Sequence, residues 1–239
     1  MKKMKSFFGL LLLVFLFISC ENGKSTVKDN SNVEKLEYKE NNEKYNYDVV
    51  IPQIKGVENE DISYLNLSLQ ESARIIIENL VGSADIGTKE VPIEAKMNYE
   101  IKENDFNILS LVITSYVYQG GAHGITTVET YNISKKDYSL LNYDVIFDEN
   151  AEEYFNMKMN DIINKSKENN GSRYALNTEG KEVLFFENAE ANVKNTSMYF
   201  EGNSVVFLYP HYEIAPYSSG MPIFKFDKKD IKKFVKIKI

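Results

Sequence analysis

The hydrophobic and polar positions of this chain follow two different periods in turn. Residues 45–51 place apolar side chains at every second position, which predicts a strand that Pro52 ends. Residues 62–80 place them three or four positions apart, which predicts a helix with one apolar face. Asp61 is the predicted N-cap of this helix, and Gly82 is predicted to lie just past its end. The apolar face is expected to pack on a sheet.

Three further strands are predicted in the middle of the chain, at residues 95–101, 107–118 and 125–133. The turns between them are built from Glu103-Asn104-Asp105 and from residues 119–124, whose residue types suit tight reversal of the chain. The three strands are therefore predicted to form an antiparallel meander. Apolar residues on both faces of the long middle strand indicate that much of it is covered.

The last part of the chain returns to helical spacing and then to strands. Apolar residues recur every three or four positions from 151 to 163, with Asp148 as the predicted cap and Gly171 as the predicted end. Short apolar runs follow at 183–186, 197–200, 205–209 and 222–226, and a short closing helix or strand begins at Lys229. This order predicts an α+β fold, with helices packed on antiparallel or mixed sheets.

The amino terminus has the pattern of an export signal. Three lysines precede an apolar run at residues 7–18, which is too short to span a bilayer comfortably, and Ser19-Cys20 follows it. This end resembles a bacterial lipobox, so residues 1–19 are predicted to be a lipoprotein signal peptide and Cys20 to be lipidated. An ordinary secretory signal or a plain anchor helix is the alternative. Cys20 is the chain's single cysteine, which excludes an intramolecular disulfide.

The remaining chain divides by composition into three parts. Residues 20–44 are polar and predict a flexible tether, while residues 45–134 and 135–239 predict two consecutive α+β subdomains. The formal charge is -7, and removal of residues 1–19, which carry three Lys and no acid, takes it to -7 - 3 = -10. This acidity disfavours nucleic acid as a partner and suits a cationic one.

Candidate chemistry is sparse. The two histidines, His123 and His211, have no partner at metal-ligand spacing, although Glu213 or Asp144 offers a third ligand if they meet in space. The alternative for His123 is a turn residue whose ring bonds a nearby backbone group. The chain has no nucleophile elbow and no phosphate-binding glycine loop that opens a helix. Therefore no catalytic residue, metal or cofactor is predicted.

Aromatic residues are more informative, because several of them lie in or beside two loops. We name residues 119–124 the glycine turn and residues 209–220 the Tyr-Pro segment. Tyrosine near loop tips offers rigid, amphipathic contact area to a protein or a glycan. The alternative is that these rings merely line the sheet edges. The predicted binding surface consists of Tyr118, Gly120, Gly121, His123, Gly124, Tyr209, His211, Tyr212 and Tyr217.

The strings Ser115-Tyr-Val-Tyr-Gln-Gly-Gly-Ala-His-Gly124 and Tyr209-Pro-His-Tyr-Glu-Ile-Ala-Pro-Tyr217 together carry a family resemblance. They resemble the extracytoplasmic domains of the lysozyme-sensing anti-sigma factor family, which also occur beside polysaccharide deacetylase domains. The resemblance spans about residues 45–236 and implies recognition of a ligand, with lysozyme, a cationic protein, as the best understood case. The chain has no cytoplasmic segment before its apolar run and no deacetylase region after residue 239, so transmembrane signalling is not expected.

These observations predict a lipid-anchored envelope protein that faces the periplasm or the exterior. Its predicted role is non-catalytic binding, with a cationic protein such as lysozyme as the candidate partner and no nucleic acid. One alternative is an enzyme that modifies cell-wall glycan through carboxylates or through His123 and His211. The other is a purely structural envelope component.

Overall fold

Two β-sheets with helices packed on them make up the fold, which is α+β as the sequence predicts. The computed structural model describes residues 32–84, 91–168 and 175–238. The predicted signal peptide and Cys20 lie outside these residues. Within the described parts of the chain, no helix is both long and apolar enough to cross a membrane. Residues 32–239 form one compact unit that contains both sheets.

The first sheet has five strands in the order β1-β2-β3-β4-β5. Its elements are β1 (Val33–Asn41), β2 (Tyr45–Ile54), α1 (Glu60–Ala84), β3 (Ile93–Lys102), β4 (Ile108–Tyr118) and β5 (Ile125–Ser134). Strands β2 and β3 are parallel because α1 returns the chain to the same end of the sheet, whereas β3, β4 and β5 form the predicted antiparallel meander. The sheet is therefore mixed.

Helix α1 packs its apolar stripe on this sheet, as predicted. Ile62, Leu65 and Leu69 are buried against Val49 and Ile51 of β2. Burial of such aliphatic side chains contributes roughly 1.5–3 kcal/mol each, which holds the helix to the sheet.

The predicted ends of α1 are wrong by two residues or so at each terminus. The Asn59 side chain, not Asp61, accepts the capping hydrogen bond from the Ile62 backbone N–H, at 3.2 Å. Asn and Asp cap equally well, so composition alone does not choose between them. Gly82 lies inside the helix, which continues to Ala84.

Strand β1 corrects the predicted tether, because residues 33–41 form an edge strand paired along its length with β2. Val33, Leu36 and Tyr38 are partly buried against the core under α1. An edge strand needs few apolar residues, and its exposed charges protect it from pairing with other chains. Strand β2 also continues through Pro52, since β3 pairs only with its first five residues and leaves that edge free.

The second sheet is antiparallel, with the order β6-β9-β8-β7. Its strands are β6 (Leu176–Asn177), β7 (Ser197–Glu201), β8 (Ser204–Leu208) and β9 (Pro222–Asp227). The helices of this part are α2 (Tyr143–Ile146), α3 (Ala151–Glu168) and α4 (Lys228–Ile231), with short 3-10 turns at Val193–Asn195, Tyr217–Ser219 and Lys232–Phe234. The strand predicted at residues 183–186 is wrong, because the chain there is irregular.

The two sheets are joined by polar side chains that reach the free edge of β7. Asn132 of β5 donates to the Met198 carbonyl oxygen at 2.7 Å. Ser110 of β4 donates to the Asn132 amide oxygen at 2.6 Å and accepts from the Phe200 backbone N–H at 3.1 Å. Asn104 adds a longer bond to the Phe200 carbonyl oxygen. These bonds satisfy backbone groups that no neighbouring strand pairs, and they fix one sheet against the other.

Candidate functional site

The glycine turn and the Tyr-Pro segment, which are far apart in sequence, meet in the structure. The glycine turn connects β4 to β5, and the Tyr-Pro segment connects β8 to β9. The imidazole of His123 lies stacked on the ring of Tyr217, with 4.1 Å between the ring centroids and 17° between the ring planes. The site is therefore shared by the two sheets.

Tyr217 lies between two histidines. His211 stacks on it as well, with a centroid distance of 4.4 Å and an interplanar angle of 26°. The exposed ring of Tyr212 lies 5.7 Å from Tyr217, and its hydroxyl is 3.3 Å from His123 Nε2. We name His123, His211, Tyr212 and Tyr217 the ring cluster. Three of the nine predicted surface residues thus surround a fourth, Tyr217.

Hydrogen bonds to backbone carbonyl groups hold the glycine turn in place. The Gly124 carbonyl oxygen accepts from the Tyr217 hydroxyl at 3.3 Å and from His123 Nδ1–H at 2.8 Å. The latter bond has the form predicted for His123 as a turn residue. The Tyr118 hydroxyl donates to the Gly121 carbonyl oxygen at 3.1 Å. Gly120 and Gly121 have φ values of 98° and 97°, which residues with a side chain rarely adopt.

Gly124 is required for a different reason, namely the close approach of an aromatic ring. A Cβ atom at this position would lie 2.4 Å from the nearest ring carbons of Tyr116. The turn can therefore pack directly on β4 only because residue 124 has no side chain.

Replacement of Gly124 by Ala is expected to lower the free energy of unfolding by about 1–3 kcal/mol, because the Tyr116 ring must move to accommodate the methyl group. Gly82→Ala is the matched control: it lies in helix α1 with no atom within 4 Å of the added Cβ. The control should raise stability by about 0.5–1 kcal/mol. Urea denaturation of both variants measures the difference, and equal effects of the same sign would contradict the close approach.

The Tyr-Pro segment is positioned by two buried residues that sequence analysis did not identify. Asn177 donates to the Ser219 carbonyl oxygen at 2.9 Å, and its amide oxygen accepts from the backbone N–H groups of Glu179 and Lys181. The Ser219 hydroxyl donates to the Leu184 carbonyl oxygen at 3.2 Å. The Asn177-Thr-Glu-Gly180 string has the composition of an Asx turn, and this is the sequence signal that could have identified Asn177.

Tyr209 does not belong to the surface, which corrects the prediction. Its side chain is fully buried, packs edge-on against Phe224 and donates its hydroxyl hydrogen to the Asn192 carbonyl oxygen at 2.7 Å. Tyr209 directly follows β8 and places its ring in the core, so it anchors the first residue of the Tyr-Pro segment. A buried tyrosine with a bonded hydroxyl is a structural residue.

The two loops that form the ring cluster contain few charged residues. The two loops contain one carboxylate, Glu213, and that side chain accepts a hydrogen bond from Asn195 at 2.7 Å. His211 Nδ1 is buried and has no hydrogen-bond partner among the described residues. Burial, followed by the charge of His123, lowers the pKa of His211 from its ordinary value.

The two carboxylates that the sequence offers as a third metal ligand bond other side chains instead. Asp144 pairs with Lys194 at 2.6 Å, and Glu213 bonds Asn195. Across the described residues, no three His, Cys, Asp or Glu side chains are grouped so as to hold a metal ion. The cluster presents imidazole and phenol rings, which offer amphipathic contact area and hydrogen bonds to a partner.

Comparison with known families divides the chain near the same place as the two sheets. Residues 38–126 match the family model described as Deacetylase PdaC, and residues 132–229 match that of a protein of unknown function, DUF3298. His123 lies in the first region, whereas His211, Tyr212 and Tyr217 lie in the second. The ring cluster thus joins the two matched regions. No curated protein matches the chain.

Two solved structures are similar to this one. The first is a DUF3298 family protein from Pseudomonas aeruginosa PAO1, with 16% identity, a TM-score of 0.56 and coverage of 85% of this chain and 94% of that chain. The second is a DUF3298 family member from Bacteroides fragilis NCTC 9343, with 14% identity, a TM-score of 0.53 and coverage of 86% and 94%. At these identities the likeness establishes the fold.

Proposed function

We propose that this chain, with its PdaC-type and DUF3298-type regions, is a non-catalytic recognition protein of the bacterial envelope. The ring cluster is its contact surface, and a cationic protein is its partner. Lysozyme is the first partner to test. The single observation that carries the proposal is the stacking of His123 and His211 on opposite faces of Tyr217, which unites two distant motifs in one surface patch.

The geometry of the ring cluster supports a role in contact formation. Tyr212 is 56% exposed and has a φ of 67°, a value that is uncommon for a residue with a side chain. Its ring contacts Tyr217, which is itself held by the Gly124 carbonyl oxygen. The exposed ring is therefore supported from behind, and little side-chain freedom remains to be lost on binding. Rigid tyrosine rings of this kind are frequent hot spots in protein interfaces.

The charge of the chain supports a cationic partner. Its formal net charge is -7, which attracts a basic protein. Salt screens this attraction beyond a Debye length of about 8 Å at physiological ionic strength. Such attraction increases the association rate more than it sets specificity. Specificity for one basic protein over another would then depend on the ring cluster.

Replacement of Tyr212 by Ala is expected to weaken lysozyme binding by about tenfold or more, because the variant removes the exposed, supported ring of the cluster. Calorimetry of the full chain in mild detergent, at low and at physiological salt, measures the affinity. Tyr64→Ala is the matched control, since Tyr64 is 73% exposed on helix α1, outside the two loops. The control should bind as the wild type does.

Two results would contradict this proposal. One is equal binding of lysozyme and of another protein of similar basic charge, which would mean that net charge alone attracts both. The other is equal loss of affinity in the Tyr212 and Tyr64 variants. The protein should include residues 33–41, because a fragment that begins at Tyr45 lacks the edge strand β1.

A catalytic role is the second candidate, because the model matched by residues 38–126 is described as a deacetylase. His123 and His211 are then the groups to test. Under this alternative, His123→Ala and His211→Ala should abolish turnover of acetylated wall glycan and leave the fold intact. If the wild type releases no acetate, the deacetylase alternative is dismissed.

Anchoring through Cys20 is the part of the proposal that places the protein at a membrane. A multiply acylated cysteine holds a protein durably, since each buried CH2 contributes about 0.8 kcal/mol. Mass spectrometry of the amino-terminal peptide should show Cys20 with acyl chains. An unmodified thiol would remove lipid anchoring from the proposal.

A further inference from the structure

The ring cluster contains two titratable groups that share one aromatic ring. His123 and His211 lie against opposite faces of Tyr217, with centroid distances of 4.1 and 4.4 Å. The glycine turn and the Tyr-Pro segment touch through this stack and through the bonds of Tyr212 to His123 and of Tyr217 to Gly124. Any change that separates the rings therefore opens the contact between the two loops.

Two hydrogen bonds fix the position of the His123 ring. Its Nδ1–H donates to the Gly124 carbonyl oxygen, which leaves Nε2 as the acceptor of the Tyr212 hydroxyl hydrogen. These two bonds hold the His123 ring in place against Tyr217.

The surroundings of His211 favour its neutral form. Its Nδ1 is buried without a partner, and in the imidazolium both ring nitrogens are donors, so protonation leaves a buried N–H without an acceptor. The charge that acts on His211 comes from His123. The other titratable groups of the two loops and of the adjoining end of β4 are Tyr116, Tyr118, Tyr209, Tyr212, Glu213 and Tyr217. Glu213, the single carboxylate among them, is bonded to Asn195.

Because of this arrangement we propose that the ring cluster is a proton-operated switch: the neutral His211 ring closes the two loops on Tyr217, and its protonation opens them. This inference rests on the proposed function in one respect, since the surface that opens is the proposed contact surface. A stacked imidazolium does gain attraction from the tyrosine ring. A His211 imidazolium instead has a buried N–H without an acceptor and lies near His123, and both features oppose its protonation.

The direction of the effect follows from the lowered pKa of His211. Because the folded-state pKa is below the unfolded one, the neutral form stabilises the closed loops fully above the ordinary histidine value of 6.5. That stabilisation is lost as the pH falls below this value and through the lower folded pKa. Acidification is therefore the opening signal, and neutral pH is the closed, binding-competent condition.

The test is a pH titration of the full chain without any partner, monitored by NMR of labelled histidine rings. The titration runs from about pH 7.5 to about pH 5, a range that brackets ordinary histidine titration. In the wild type we expect the ring-current shifts that Tyr217 imposes on His123 and His211 to be lost on acidification. Hydrogen exchange of the glycine-turn amides should accelerate over the same range. Methyl signals of Ile62, in the core under α1, should not change.

His211→Phe is the decisive variant, because it retains a flat ring against Tyr217 and removes the titratable nitrogen. Its glycine turn should stay protected at the acidic end of the range. The proposal is overturned if the wild-type stack persists while His211 protonates, or if the His211→Phe turn opens as the wild type does. The wild-type titration decides the matter alone if the variant does not fold. Failure to bind lysozyme would count against the proposed function and leave this readout unaffected.

Discussion

Replacement of Phe155 by Ala is expected to lower the free energy of unfolding by about 3–5 kcal/mol, the largest effect that we predict for a single substitution. Phe155, on helix α3, is fully buried. Its ring lies 4.7 Å from that of Phe207, 4.9 Å from that of Phe226 and 5.1 Å from that of Phe147. Removing it leaves a cavity at the centre of the second sheet's core, and the rigid neighbours cannot fill it completely.

The consequence should extend to the ring cluster. Phe207 belongs to β8, the strand that leads into the Tyr-Pro segment, so loss of its packing partner should loosen that segment. Chemical denaturation followed by circular dichroism measures the stability. Met157→Ala, at an exposed position of the same helix, is the matched control and should change stability by less than about 0.5 kcal/mol. A loss below about 1 kcal/mol for Phe155→Ala would mean that the described aromatic packing is wrong.

Replacement of Asn132 by Leu is expected to cost about 2–4 kcal/mol, although the two side chains are similar in shape. The substitution removes the donor to the Met198 carbonyl oxygen and the acceptor of the Ser110 hydroxyl. Each buried polar group left without its partner costs roughly 1–3 kcal/mol. Because these bonds join the two sheets, the variant should also weaken the contact between the glycine turn and the Tyr-Pro segment.

A matched control separates this effect from the substitution itself. Asn98→Leu makes the same change at an exposed position of β3, where the side chain bonds only the backbone of its neighbour Tyr99. It should alter stability by no more than about 0.5 kcal/mol. A double-mutant cycle between Asn132 and Ser110 should show coupling of about 0.5–3 kcal/mol. Strict additivity would exclude the hydrogen-bonded bridge.

Periodic elements were predictable because burial repeats at a fixed spacing along the chain. Helix α1, the β3-β4-β5 meander and the β7-β8 hairpin all have local signals of this kind, and the structure confirms them. Strand β1 was missed because an edge strand carries charged residues in place of a clear apolar alternation. The run at 183–186 is apolar without being a strand, since Val183 and Phe185 pack on the core from a loop while Leu184 is exposed.

For the candidate site, the sequence by itself determined which two loops have unusual residues. Glycine indicates a need for positive φ or for close packing, and clustered tyrosines indicate potential contact area. Both signals are local in the sequence. The tertiary structure alone decided that Tyr217 lies between His123 and His211, and that Tyr209 turns into the core. The partners of Tyr217 are separated from one another by almost ninety positions, and only the packing of one sheet against the other, to which Asn132 and Ser110 contribute, brings them together.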